Sequence, residues 1–238
     1  MATRAPTQPL PPASARPEGA PIDYDAVFAA LHEWRSGVKE DPAVSAIARE
    51  LTRDPWSVLV STILSLRTKD AVTLATSRAL LARAPTPQAL LELTEEEIAR
   101  LAYPSCFFRT KAASLRKIAA LLLERHGGAV PADQDALLAL PGVGLKTANL
   151  VLQEAFDLDA ICVDTHVHRI SNRLGWIATK TPEESEAALR ATLPFRYWKI
   201  INALLVSFGQ RVCTPISPRC SICPIAAHCE RVGVGTSR

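Results

Sequence analysis

The chain has 238 residues, 48% of them apolar and 21% charged, with a formal net charge of +3 and six cysteines. That length supports one large or two modest domains with a real core, and no apolar run approaches the roughly 20 residues of a membrane-spanning helix. Nor does the start of the sequence show the continuous apolar stretch of a secretory signal, so the protein is expected to be soluble and intracellular, with reduced cysteines.

Residues 1–22 are rich in Pro and Ala without an apolar period and are expected to be disordered. Arg4 and Arg16 there permit a targeting peptide without arguing for one. Beyond them the pattern is helical. Asp41-Pro42, Asp54-Pro55, Thr86-Pro87 and Thr181-Pro182 each join a capping side chain to a proline at the first helical position. The stretch from Val58 to Leu66 is apolar nearly all round and predicts a central, buried helix. Thr94 with Glu97, and Thr181 with Glu184, have capping-box spacing. Leu115, Ile118 and Leu122 mark one face of a helix, which Gly127-Gly128 should stop. Cys106 and Cys162 stand alone and are expected to be small buried residues. No segment alternates as a strand does, and the fold class is all-α.

The most informative segment is Leu140-Pro141-Gly142-Val143-Gly144-Leu145-Lys146-Thr147-Ala148. A short helix over 133–139 precedes it and a longer one over 145–156 follows. Pro141 ends the first, and Gly142 and Gly144 let the chain turn sharply with its amides exposed. Such a turn aims N–H groups outward at the positive end of a helix dipole, a place for a phosphate oxygen. This is a helix-hairpin-helix motif, with Gly142, Val143 and Gly144 as the candidate DNA contacts; a bare Pro/Gly connector is the alternative. Lys146 falls in the first turn of the second helix, where the local positive field is expected to lower its pKa and favour the nucleophilic amine. Phosphate contact alone would also account for it.

Asp164, in Val163-Asp164-Thr165-His166-Val167-His168-Arg169, is placed as the N-cap of a further helix through Ile170 and Leu174. A carboxylate held there could also stabilise positive charge on a deoxyribose as its base departs. His166 and His168 are two apart, point in different directions on a helix and should not chelate one metal together. From Arg190 onward there are seven bases against the single acid Glu230, a basic segment suited to a phosphate backbone or to an ordinary solvated face. Within it, Cys213, Cys220, Cys223 and Cys229 follow a helix ending near Gly209. Four thiolates can hold zinc or an iron–sulfur cluster; only Cys220 and Cys223 form a short pair of the kind structural zinc commonly uses twice. A 4Fe–4S core with its four thiolates would carry −2 and cut the formal +3 to about +1.

Lysine hairpin, V-D-T-H-V-H-R and C-x6-C-x2-C-x5-C stand in this order over roughly residues 23–231, and together they resemble the endonuclease III family of helix-hairpin-helix glycosylases. The resemblance implies a six-helix barrel domain over 46–158 and a helical domain of 23–45 plus 159–238 with a 4Fe–4S cluster on the four cysteines. Damaged double-stranded DNA would lie in a groove between them, bound by a monomer. It further implies a bifunctional glycosylase and AP lyase for oxidised pyrimidines. Lys146 would be the Schiff-base nucleophile and Asp164 the catalytic carboxylate, acting on a flipped nucleotide.

The pattern is not followed everywhere. Arg67 stands where the family usually has Gln to fill the gap left by the flipped base. Phe107 is the candidate apolar wedge of a second inserting loop, with core packing as its alternative, and Cys106 replaces a usual Gly. Leu138 lies where some relatives are acidic. Arg219 is the one base between Cys213 and Cys220, and with His166 completes the expected DNA contacts. Rival readings are a monofunctional glycosylase, which Lys146 opposes, a non-catalytic DNA-binding hairpin protein, which Asp164 opposes, and a zinc-stabilised structural protein.

Overall fold

The computed structural model describes residues 21–38, 42–51 and 53–238, all in helices and connections with no strand among them. Most of the segment expected to be disordered, and the capping residue Asp41, lie outside the described residues. Two compact units divide the chain at 40/41 and 162/163. Residues 42–45 and 159–162 therefore go with the hairpin-bearing unit, and the boundaries differ from the 46 and 158 suggested by resemblance.

The hairpin-bearing unit is built from α2 (Ala43–Glu50), α3 (Pro55–Ser65), α4 (Asp70–Arg83), α5 (Pro87–Leu91), α6 (Glu95–Ala102), α7 (Phe108–His126), α8 (Gln134–Leu138) and α9 (Leu145–Phe156). Residues 56–64 of α3 are buried on every side, and α2, α4, α7 and α9 pack against it. Asp54 accepts from Ser57 N with Pro55 in the first turn, and Thr86 accepts from Ala89 N ahead of Pro87, as the cap-proline pattern requires. Pro42 differs, being the N-cap of α2 itself and outside the helix. Thr94 and Glu97 complete a reciprocal capping box at α6. In α7, Leu115, Ile118 and Leu122 are fully buried, and Gly127 ends the helix in the left-handed region at φ 59°.

The second unit contains α1 (Tyr24–Ser36), α10 (Thr165–Arg173), α11 (Pro182–Thr192) and α12 (Ile201–Arg211), followed by the cysteine loop with short 3-10 turns at Cys220–Ile222 and Ala226–His228. α12 packs on both α1 and α10 and runs two residues past Gly209, the end expected from sequence. The Phe28 and Tyr197 rings stack at 3.8 Å, and Asp25 accepts from Arg196 Nε at 3.2 Å and from the Tyr197 hydroxyl, joining α1 to the C-terminal half. These donors, Arg196 first, hold the Asp25 carboxyl below its ordinary pKa. Thr181 caps α11 through Glu184 N, but the Glu184 carboxylate accepts from Lys180 N, one residue earlier than a reciprocal box requires. No described helix is long and apolar enough to cross a membrane.

Candidate functional site

In the hairpin-bearing unit, α8 and α9 flank a turn in which Gly142 takes φ 79°, a conformation that L side chains rarely adopt. Gly142 and Gly144 are exposed while Val143 is buried, its amide donating to Leu140 O at 3.2 Å. Gly144 is the N-cap of α9 and offers no side chain to the first-turn amides, which in any helix lack intrahelical partners. Two buried amides set this geometry from below. Asn149 donates to Ile161 O at 2.9 Å and accepts from Gln134 Nε2, fixing α9 to α8 and to the segment leaving the unit. Gln153 donates to Ala160 O in the same way.

Lys146 is half-buried in that first turn, and its Nζ makes no hydrogen bond or ion pair among the described residues. Its backbone carbonyl accepts a long contact from the Cys162 thiol at 3.6 Å. Cys162 is fully buried, as expected; Cys106 is exposed, contrary to expectation, because it sits in the surface turn before α7.

Arg67 and Phe107 also belong to this unit, and both are exposed and left-handed, at φ 56° and 55°. The Phe107 ring is 62% exposed, which removes the core-packing alternative. Phe108 is the half-buried neighbour, set edge-on against Tyr103 at 5.5 Å. The Arg67 guanidinium lies over the Phe107 ring. Beneath them is a residue that the sequence reading missed. Lys111 is buried, with Nζ donating to Leu64 O at 2.8 Å, Leu66 O at 2.7 Å and Thr68 Oγ1 at 2.9 Å. The available signal was its register: Lys111 lies four residues before Leu115, on the same face as the buried apolar stripe of α7.

In the second unit Asp164 is the N-cap of α10. Both of its bonds, from His166 N at 2.8 Å and Val167 N at 2.9 Å, fall on Oδ1. Oδ2 has no hydrogen bond among the described residues. The His166 ring is committed to Arg169 Nη2 at 3.1 Å and lies against Gly209 of α12. His168 instead faces Ser185 of α11, so the two histidines diverge as their spacing requires.

Arg169 and Arg173 organise the start of the cysteine loop. Arg169 Nη2 donates to Cys213 O at 2.9 Å, and Arg173 Nη1 donates to Thr214 O at 2.8 Å and to Cys213 Sγ at 3.4 Å. All four cysteines line one pocket whose walls include Ile170, Leu174, Phe208 and Val212, with Arg173, exposed Arg219 and Arg231 at its edge. Burial pushes the Cys223 thiol up to about 12 and also raises Cys229, so neutral thiols are preferred there unless a metal supplies positive charge. An all-sulfur donor set in an apolar pocket, with arginines to offset its negative charge, fits an iron–sulfur cluster.

A family model described as HhH-GPD superfamily base excision DNA repair protein matches residues 60–195. A second, the iron–sulfur binding domain of endonuclease III, matches residues 213–229. Endonuclease III of Thermotoga maritima is 45% identical over 196 residues, covering 79% of this chain and 92% of that protein. A solved non-covalent endonuclease III–DNA complex matches with a TM-score of 0.76 at 31% identity, covering 87% of this chain and 95% of that one. For a trapped endonuclease III–DNA covalent intermediate the TM-score is 0.71 at 31% identity, with 84% and 96% covered. The chain belongs to the endonuclease III family of HhH-GPD base excision DNA repair proteins. It is a DNA glycosylase of base excision repair, and its cysteine loop is an iron–sulfur binding domain.

Proposed function

We propose that the protein is a bifunctional DNA glycosylase and AP lyase that excises oxidised pyrimidines and then cuts the strand 3′ to the site. The observation that carries this reading is the state of Lys146: a half-buried amine at the mouth of the glycine hairpin, with no partner among the described residues to occupy its lone pair or hold its proton.

The exposed hairpin amides of Gly142 and Gly144 hold a backbone phosphate and set the register of the duplex without reading sequence, while the buried Val143, expected from the sequence to make a DNA contact, spends its amide on Leu140 O. The damaged nucleotide leaves the stack. Lys146 Nζ, as the free amine, bonds to C1′ while the N-glycosidic bond breaks and the base departs with a proton. The Asp164 carboxylate, fixed through Oδ1 with Oδ2 open, stabilises the positive charge that develops on the sugar and assists proton transfer from the amine. Ring opening gives a protonated imine, which acidifies the C2′ hydrogen. Loss of that proton expels the 3′ phosphate by β-elimination, and water then hydrolyses the imine to free the lysine. The trapped covalent complex of a relative at 31% identity supports this chemistry.

Held by its four thiolates, the iron–sulfur cluster would order the basic loop that bears Arg219 and supply a redox centre there. Arg173, through its bond to Cys213 Sγ, would stabilise thiolate charge.

Borohydride reduction is the test. Wild-type protein is expected to yield a covalent adduct with duplex DNA containing thymine glycol or an abasic site, and Lys146→Gln is expected to yield none. An undiminished adduct from the variant would overturn the assignment of the nucleophile. A wild type that forms none would overturn the lyase activity and leave a monofunctional glycosylase.

A further inference from the structure

We propose that Lys111 is a positioning residue: with Thr68 it locks the Arg67 turn and the Phe107 turn into one preformed wedge that enters the duplex at the lesion. The proposal rests on the glycosylase reading above and concerns how the two loops are held.

Two turns far apart in sequence meet at this point. The first leaves α3, whose last carbonyls have no helical partners; Lys111 Nζ takes two acceptors from this stretch, Leu64 O at 2.8 Å and Leu66 O at 2.7 Å. A cation at a helix C-terminus is also favoured by the helix dipole. The second turn enters α7, and the backbone amide of Lys111 donates to Phe107 O at 3.0 Å. One residue thus grips both turns, one with its side chain and the other with its backbone.

Thr68 closes the connection. Its hydroxyl accepts from Lys111 Nζ at 2.9 Å and from Cys106 N at 3.2 Å, and donates to Leu66 O at 3.2 Å. Neither turn can shift without breaking a bond to the other. Between these anchors Arg67 and Phe107 each take a left-handed conformation that non-glycine residues avoid, and both side chains project to the surface with the guanidinium over the ring. Such strain persists only when the surroundings over-determine it, and it concentrates at functional sites. A buried ammonium whose three donors all go to the Arg67 turn, on a residue whose backbone amide holds the Phe107 turn, supplies that determination. It is an expensive device for a surface turn that merely connects helices.

The test uses full-length Lys111→Met and Thr68→Val, the second removing only the hydroxyl. Duplexes carry thymine glycol for excision, or an abasic site opposite 2-aminopurine, whose fluorescence reports unstacking by an inserted wedge. Single-stranded abasic DNA needs Lys146 but no wedge. Both variants are expected to excise thymine glycol from duplex at least about tenfold more slowly and to lose the 2-aminopurine response, with borohydride trapping on single strands unchanged. If Lys111→Met loses its helical circular dichroism, Thr68→Val decides. Wild-type duplex excision and 2-aminopurine response in a folded variant would overturn the proposal, as would an equal loss of single-strand trapping. Failure of the wild type to trap any abasic DNA would instead strike the lyase reading; the fluorescence response, which needs binding but no chemistry, would still decide the role of Lys111.

Discussion

The Arg67 guanidinium carbon lies 5.8 Å from the centroid of the Phe107 ring, although forty residues of chain separate the two. Both side chains are exposed, so the contact contributes little to folding; it makes one amphipathic surface out of two turns. Phe107→Ala should change the urea midpoint by no more than the equivalent of ~0.5 kcal/mol, as at other exposed positions. Binding to duplex with an abasic site should weaken clearly if the proposed apolar wedge is what enters between base steps. A double-mutant cycle with Arg67→Ala should show coupling of about 0.5–1 kcal/mol in that binding. Strict additivity would mean that the two loops act independently.

Lys111 gives the wedge a pH dependence of predictable sign. Burial pushes its pKa down to about 8, and the electrostatic influence of nearby Cys106 opposes this more weakly. In the unfolded chain a lysine keeps its proton to about pH 10.4. Below about 8 both states are charged and the desolvation cost is fully present; between the two values the unfolded chain binds more protons, so this group's contribution to stability rises with pH. The clamp responds in the opposite direction, since a neutral amine has two N–H groups for three acceptors. In Lys146→Gln protein the 2-aminopurine response should fall as pH rises through about 8 while the fold stays intact. The response of Thr68→Val should be flat over the same range.

Why Lys111 escaped the sequence reading while Lys146 did not is a matter of physical range. Lys146 sits in a local string whose glycines and proline dictate a turn within a few residues, so its place at a helix start is legible. The same holds for caps: Asp54, Thr86, Thr94 and Asp164 all accept the first-turn amides their spacing promised. The partners of Lys111 are carbonyls more than forty residues away, and no local pattern encodes those. Only its register on the buried face of α7 hinted that something must neutralise it. Exposure at turns is equally non-local. Cys106 is expected in the interior, yet the approach to α7 holds it at the surface beside Phe107, whose exposure only the resemblance suggests.

Gly209 should be irreplaceable even by alanine. A Cβ there would collide with the His166 imidazole and come within 2.8 Å of Arg169 Nη2, the guanidinium that also holds Cys213 O. Gly209→Ala is expected to destabilise this unit by about 1–3 kcal/mol, the usual cost of overpacking a close contact. It should also lower the iron retained per chain, because the cysteine loop loses its anchor. Gly235→Ala, which meets nothing within 4 Å, is the matched control and should leave both unchanged. Unaltered urea midpoint and iron content in Gly209→Ala would show that the α10–α12 crossing can relax.

Asp164 is the N-cap of α10 and the proposed catalytic carboxylate, and one pair of substitutions separates the two. As N-cap it needs only a short side-chain acceptor, and asparagine serves a helix N-terminus about as well as aspartate. Asp164→Asn should therefore keep the wild-type urea midpoint, whereas Asp164→Ala, which leaves His166 N and Val167 N without their acceptor, should lose about 1 kcal/mol. The proposed catalytic role needs the negative charge as well as the oxygen. Excision of thymine glycol should fall by at least about a hundredfold in both variants if the carboxylate supplies acid–base or electrostatic assistance. The informative combination is a stable but slow Asp164→Asn. Full activity in that variant would reduce Asp164 to its cap and leave Lys146 to act without a carboxylate.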